Sequence, residues 1–332
     1  MTAPFDSAAA DPAMENRLRP QRFDDFPGQD QIKENLGIYI AAARKRGEPL
    51  DHLLFSGPPG LGKTTLAGIV AAEMGVKLHP TSGPAIERPA DLAGVLTGLQ
   101  PGQVLFIDEI HRLPLVVEEY LYGAMEDWAI DIVMESGLYA KSVHLAIPRF
   151  TLIGATTRDG LLSAPFRARF GILERLDYYP PEVLAVILRR SASILGVGLS
   201  DDGAVELSER CRGTPRIANR FLARARDVAE VRGDGVVDRA VARASLRMLG
   251  VDENGLADMD RRLLQTLARS EPMPVGVKTL AVTLGETEDT IENVHEPFLV
   301  RGGYLVKTPQ GRRLLPRGRE AIHIAAPPDA LF

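Results

Sequence analysis

The sequence predicts an α/β fold: a parallel sheet flanked by helices, then a small helical domain, then a domain of short helices with a basic hairpin. Three observations carry this. Residues 57–64 read Gly57-Pro58-Pro59-Gly60-Leu61-Gly62-Lys63-Thr64, between an apolar run and a helical repeat. Apolar runs recur at residues 53–55, 104–107 and 150–153, with helical stretches between them. The doublet Pro180-Pro181 then breaks the alternation.

Taken in order, residues 1–16 are rich in Ala, Pro and acids and lack the basic start and apolar stretch of a signal peptide. They read as a disordered tail on a cytoplasmic protein. Residues 17–179 form the α/β domain. Residues 180–250 space Val183, Val186, Ile187, Ile217, Phe221, Val241 and Leu246 as helices do, giving a small helical domain. After the polar linker Asp252-Glu253-Asn254-Gly255, residues 253–332 hold three short amphipathic patterns: Leu263/Leu264/Leu267, Leu280/Val282/Leu284 and Ile291/Val294/Phe298. Tyr304-Leu305-Val306 and Leu314-Leu315 flank the turn Thr308-Pro309-Gln310-Gly311. Three helices and a basic hairpin describe a winged helix.

At 332 residues, with 45% hydrophobic and 25% charged residues, the chain has material for two or three ordinary cores. One cysteine, Cys211, excludes an internal disulfide and reads as a small buried hydrophobe. No run of about 18 apolar residues is present, so no membrane-spanning helix is expected. The net charge of −5 is unevenly spread. Residues 301–320 hold six basic residues and one acid, a local +5, leaving the rest near −10. A basic end on an acidic body fits a localised nucleic-acid contact. Charge alone does not separate that from a solvated basic turn.

The chemistry starts at the glycine loop. A strand, a glycine-rich turn and a helix aim backbone N–H groups and a positive helix end at polyphosphate. Gly60 and Gly62 let the backbone curl. Lys63 can reach β- and γ-phosphates, and the Thr64 hydroxyl can ligate Mg²⁺. Val104-Leu105-Phe106-Ile107-Asp108-Glu109 is an apolar strand ending in two carboxylates. Asp108 is placed for the Mg²⁺ shell and Glu109 to orient and polarise an attacking water. One carboxylate suffices for binding; the second implies hydrolysis. Phe150-Thr151-Leu152-Ile153-Gly154-Ala155-Thr156-Thr157 ends in hydroxyls that could report nucleotide state, with Thr157 preferred over Thr156. Arg167, Arg169 and Arg175 crowd one region, and Arg216 opens a helix after Gly213-Thr214-Pro215. A guanidinium completing a γ-phosphate site stabilises developing charge. Each arginine taken singly is more often a surface salt-bridge residue.

Together these segments resemble an AAA+ ATPase, and more narrowly the RuvB family of Holliday junction branch-migration motors. The resemblance covers the chain after the tail. It rests on Leu18-Arg19-Pro20, the glycine loop through Thr65, FIDEIHR at 106–112, LIGATTR at 152–158, RARFG at 167–171, GTPRIANR at 213–220 and the basic wing.

The resemblance implies an ATP-driven helicase subunit of recombination, DNA-damage repair and the SOS response, working with ATP and Mg²⁺ as a homohexamer on duplex DNA at Holliday junctions. Leu18 and Arg19 would line the adenine and ribose pocket. Gly60, Leu61, Gly62, Lys63, Thr64 and Thr65 would hold phosphates. Glu126, Asp127 and Trp128 would contribute backbone to the nucleotide pocket. Arg169 would be an arginine finger acting on the neighbouring subunit's ATP, and Tyr179 and Arg216 would close the site. Arg312 and Arg317 would contact DNA. Residues 129–148, an alternating pattern around Ser136-Gly137, would be a β-hairpin docking RuvA through Leu138 and Tyr139. On the residues alone they would be an ordinary sheet extension. The RuvC resolvase is a further implied partner.

Three departures stand out. Ala164-Pro165-Phe166-Arg167-Ala168-Arg169 differs from the family's Ser-Pro-Leu-Arg-Asp-Arg but keeps both arginines. The hairpin tip 135–141 is atypical, and Gln310 replaces an expected wing arginine. Two other readings remain: a clamp-loader or initiator ATPase, disfavoured by the lack of Ser-Arg-Cys at the finger, and a non-hydrolysing regulator, disfavoured by Glu109.

Overall fold

Leu53–Ser56 (β1) is a strand because three consecutive apolar residues are buried on both faces, as parallel sheets require. In the computed structural model, which describes residues 12–133 and 142–323, β1 lies inside a five-stranded parallel sheet. Its other members are Leu78–Ser82 (β2), Val104–Asp108 (β3), Thr151–Thr156 (β6) and Ile172–Arg175 (β7), in the order β2-β3-β6-β1-β7. Leu53 pairs with Ile153 on one side and Ile172 on the other, and Phe106 pairs with Ile153. The central strands are those the apolar runs predict. The two edge strands, β2 and β7, carry polar residues and a proline and were not foreseen.

Helices Pro12–Leu18 (α1), Asp30–Arg46 (α2), Lys63–Met74 (α3), Pro89–Thr97 (α4), Leu115–Asp127 (α5) and Ala164–Ala168 (α6) complete this part of the chain. Residues 12–16 belong to α1, so the expected tail does not run to residue 16; residues 1–11 lie outside the described set. α3 buries Leu66, Ile69 and Val70 against the sheet. Leu105, Ile107, Leu152 and Phe150 join Leu92, Leu96, Val117 and Leu121 in one core. Because the strands are parallel, Ser56, Asp108 and Thr156 all finish at the same edge, where ligands of such sheets bind.

Ala129–Val133 (β4) and Ser142–Ala146 (β5) pair antiparallel as a separate two-stranded sheet, with Ile130 opposite Leu145. This is a hairpin and not an extension of the main sheet. Its expected docking residues, Leu138 and Tyr139, lie outside the described residues.

The chain forms two compact bodies. One comprises Leu18–Val183 with Thr214–Arg216; the other holds the described residues of Met1–Arg17, Leu184–Gly213 and Ile217–Phe332. Pro181–Leu195 (α7), Asp201–Ser208 (α8), Pro215–Arg232 (α9) and Arg239–Met248 (α10) make the helical region. It also contains a short parallel pair, Gly198–Leu199 (β8) and Val236–Val237 (β9), that helical spacing concealed. Asp258–Ser270 (α11), Val277–Leu284 (α12) and a third helix follow. That third helix runs through Glu288–Thr290 (α13), a π-helical turn at Ile291–His295, and Glu296–Arg301 (α14). Leu305–Thr308 (β10) and Gly311–Leu314 (β11) form the wing, Val275 adds a bridge to Arg312, and Pro316–Ala321 (α15) is the last element among the described residues. Leu263, Leu264, Leu280, Ile291 and Leu299 are its core. No helix among the described residues is long and apolar enough to cross a membrane.

Candidate functional site

The site is built where β1 stops. Gly57, Gly60 and Gly62 all have positive φ (132°, 79° and 103°), conformations a side chain would strain. Gly62 is overlaid by the Phe26 ring, and Arg216 Cβ lies beside Gly60, so both glycines also give room. The Arg216 backbone N–H donates to Gly60 O at 3.4 Å. Tyr179 is buried and donates its hydroxyl to Leu61 O at 3.0 Å; burial pushes its phenol pKa up. Phe26 has no motif to announce it, and sequence reasoning missed it.

Lys63 is only 7% exposed and donates to Gly57 O at 2.7 Å and Pro58 O at 2.9 Å. Burial pulls its pKa down to about 8, against the opposing pull of Glu109 and Asp108. Thr64 donates its hydroxyl to Asp108 Oδ2 at 3.3 Å, which joins the loop helix to the β3 end. Thr65 follows on α3, half-buried.

Glu109 adopts φ 48° immediately after β3. That left-handed step turns the chain at the sheet edge, and the Glu109 N–H donates to Asp108 Oδ1 at 3.0 Å. The Glu109 carboxylate accepts from the Thr157 hydroxyl at 3.0 Å and faces His111 Nδ1 at 3.2 Å. His111 Nδ1 is also 2.9 Å from Thr156 Oγ1. Burial lowers the His111 pKa, opposed by Glu109. Thr157 therefore contacts the carboxylate while Thr156 faces the histidine. His111 lies inside a segment already singled out, but its part here was not anticipated.

The remaining expected residues fall in three places. Leu18 is buried at the end of α1, and Arg19 is half-buried beside it. Glu126 and Trp128 flank Asp127 at the end of α5. Trp128, at φ 54°, packs against His52 and Phe150. Arg169 pairs with the Glu126 carboxylate and stacks over the Tyr122 ring at 4.8 Å. Ser163 donates to buried Glu118 and caps α6. Glu118, Tyr122 and Glu126 recur every four residues, so one face of α5 meets both Ser163 and Arg169, on either side of α6.

In the winged domain the structure corrects one expectation. Arg312 is not a surface cation: it is 8% exposed, with Nε donating to Glu296 Oε1 at 2.5 Å and Nη2 to Glu292 Oε1 at 2.8 Å. Lys307 also reaches Glu296, at 2.6 Å. These carboxylates lie on the helix opposite the wing, and burial of Glu296 makes its pairing obligatory. Arg317 is exposed and lies over the Tyr304 ring at 5.0 Å. Arg313, next to Arg312 on β11, is exposed as well. Cys211 is buried, and burial pushes its thiol pKa up.

Three family models match in succession: the Holliday junction DNA helicase RuvB P-loop domain at residues 18–176, the RuvB AAA lid domain at 179–252, and the RuvB C-terminal winged helix domain at 253–323. The Holliday junction branch migration complex subunit RuvB of Chlorobium luteolum is 56% identical over 300 residues, covering 90% of this chain and 87% of that protein. Its namesake from Salinibacter ruber is 55% identical over 319 residues, covering 96% and 93%. The solved Thermotoga maritima RuvB Holliday junction branch migration motor is similar in fold, with a TM-score of 0.84 at 42% identity over 94% of this chain and all of that one.

Proposed function

This chain belongs to the RuvB family, and we propose the way its own residues run the motor. It is an ATP-driven subunit of a Holliday junction branch migration complex, an AAA+ helicase of DNA recombination and repair. The observation carrying the residue assignment is the pairing of Thr64 with Asp108 and of Thr157 with Glu109 at one sheet edge. Phosphates take the loop N–H groups and Lys63, which leaves the loop carbonyls for the phosphate oxygens. Thr64 and Asp108 offer the two hard oxygen donors Mg²⁺ needs when phosphates and waters supply the rest. Glu109, held by Thr157, orients the attacking water, and its carboxylate polarises that water against the γ-phosphate.

Arg169, committed to α5 of its own subunit, serves a neighbouring subunit's nucleotide in a homohexameric ring. Glu126 to Trp128 share that α5 end. Arg216 and Tyr179 close over the loop, and Leu18 and Arg19 take the base and ribose. Arg317 and Arg313 supply the phosphate contacts of the wing, with Arg312 as their brace. RuvA docks on the 129–148 hairpin, and RuvC joins the complex at the junction. Chromosomal DNA as substrate places the protein in the cytoplasm.

The test is migration of a synthetic four-way junction with ATP, with and without RuvA. Parent protein should migrate the junction and Glu109→Gln should not, while still binding nucleotide. Migration by Glu109→Gln at the parent rate would remove the assignment.

A further inference from the structure

Arg212 sits at φ 53°, a left-handed conformation that persists only where the surroundings impose it. Its surroundings lie almost entirely in the winged domain. Arg212 Nε donates to Gly255 O at 3.0 Å and Nη2 to Asp260 Oδ2 at 2.5 Å, and its guanidinium lies 4.6 Å over the Phe298 ring. Arg301 returns a bond, Nη2 to Arg212 O at 2.6 Å. Asp260, fully buried on α11, also accepts from Ala257 N at 2.8 Å and meets His295 Nδ1 at 2.7 Å. His295 is in the π-helical turn, a local widening typical of functional positions.

Stability does not explain this cluster, because a buried ion pair seldom outperforms well-packed apolar residues. What it does supply is a fixed geometry at one point of the chain. That point precedes Thr214 by a single glycine and Arg216 by three residues. Four residues of chain reach about 14 Å at most, so only a short covalent stretch joins Arg212 to Arg216.

We propose that Arg212 is a positioning residue for the nucleotide site, through which α11 and the π-helical turn set the placement of Thr214 and Arg216 against Gly60. The inference rests on the ATP-site reading above. DNA load on the winged domain then reaches the phosphate loop through Asp260, His295 and Arg212, without contact between the DNA and the nucleotide.

Arg212→Lys tests it in the full-length chain with duplex DNA, because lysine keeps the charge but loses the planar fork whose separate nitrogens reach Gly255 and Asp260 and whose face lies over Phe298. The expected result is cooperative melting at a lowered temperature, unchanged DNA affinity, a raised KM for ATP, and about tenfold loss in the ratio of DNA-stimulated to unstimulated turnover. A ratio within about twofold of parent in folded protein overturns the proposal. Should Arg212→Lys fail to melt cooperatively, Arg301→Gln decides. Arg301 is exposed, its loss spares the core, and a ratio lowered several-fold is expected; no change overturns the proposal. A parent chain whose turnover DNA does not stimulate defeats the motor reading itself, a separate result.

Discussion

The Thr157 hydroxyl donates to Glu109 at 3.0 Å, binding the end of β6 to the residue that follows β3. A carboxylate held this way through Oε2, which His111 also faces, cannot swing freely. Thr157→Val retains the shape and removes the donor. One hydrogen bond to a charged group is worth about 1.5–3 kcal/mol, so kcat should fall on the order of 10- to 100-fold with nucleotide affinity intact. Steady-state turnover beside fluorescent-nucleotide titration separates the two. A loss confined to affinity would place Thr157 on the phosphates instead.

Lys63 makes nucleotide binding sensitive to pH. Its pKa of about 8 lies below the ordinary value of 10.5 because the folded protein disfavours the buried charge. The sign for stability follows: nucleotide-free protein is penalised at low pH and gains stability as pH rises from about 8 toward 10.5. Binding has the opposite sign. Phosphate restores the charge, so binding takes up a proton near pH 8 to 9, and affinity falls by at most about tenfold per pH unit above pH 8. Calorimetry in buffers of differing ionisation enthalpy measures the uptake directly; none at pH 8.5 would contradict this account.

Arg312 and Arg313 are neighbours on one strand with opposite expected phenotypes. Arg312→Met strands Glu296 in a buried position and should cost about 3–5 kcal/mol, toward the lower figure because Lys307 stays. Denaturant unfolding reads that loss. Arg313→Ala should leave unfolding alone and reduce the salt dependence of duplex binding by about one unit of log–log slope. If Arg312→Met were fully stable and only DNA binding suffered, its burial would not be its role.

The Tyr122 ring under Arg169 suggests a comparison of two replacements. Tyr122→Phe keeps the aromatic face and should preserve DNA-stimulated turnover. Tyr122→Leu removes a cation–π contact worth about 0.5–1 kcal/mol or more, and turnover should fall several-fold. Arg169→Ala itself should lose on the order of 10³ or more. Mixing Arg169→Ala with Lys63→Ala subunits provides the readout for action in trans. Partial recovery is expected, since one variant supplies the finger and the other the loop.

How much of this was written in the sequence depended on range. Gly57 to Thr64 are contiguous, so the loop could be read directly, as could the apolar β1, β3 and β6. The edge strands β2 and β7 could not, because half-exposed strands lose the apolar run that marks buried ones. The burial of Arg312, expected on DNA from the resemblance, was hidden for another reason: its partners Glu292 and Glu296 are 20 and 16 residues away, and a charge count along the chain treats each basic residue as free. Phe26 meets the phosphate loop and Tyr122 meets Arg169 only through the fold of the chain before α2 and of α5; neither has a local signature.

Gly57 and Gly75 give the sharpest separation of loop geometry from general stability. Gly57 has φ 132°, and a Cβ there would stand 2.5 Å from Leu176 O, a backbone atom fixed by its N–H donating to Ser56 at 2.9 Å. The collision cannot be relieved by a side-chain rotation, so the loop or the end of β7 must move. Gly75 also has positive φ, 71°, but caps α3 with nothing within 4 Å of the added atom. Gly75→Ala should therefore cost only the left-handed conformation, about 1–2 kcal/mol of stability, and leave nucleotide binding unchanged. Gly57→Ala should weaken nucleotide affinity at least tenfold at a comparable melting temperature, because a shift in the loop's backbone N–H groups is felt first by phosphate. Equal nucleotide affinity for the two variants, each confirmed folded, would mean that the turn after β1 does not set the loop.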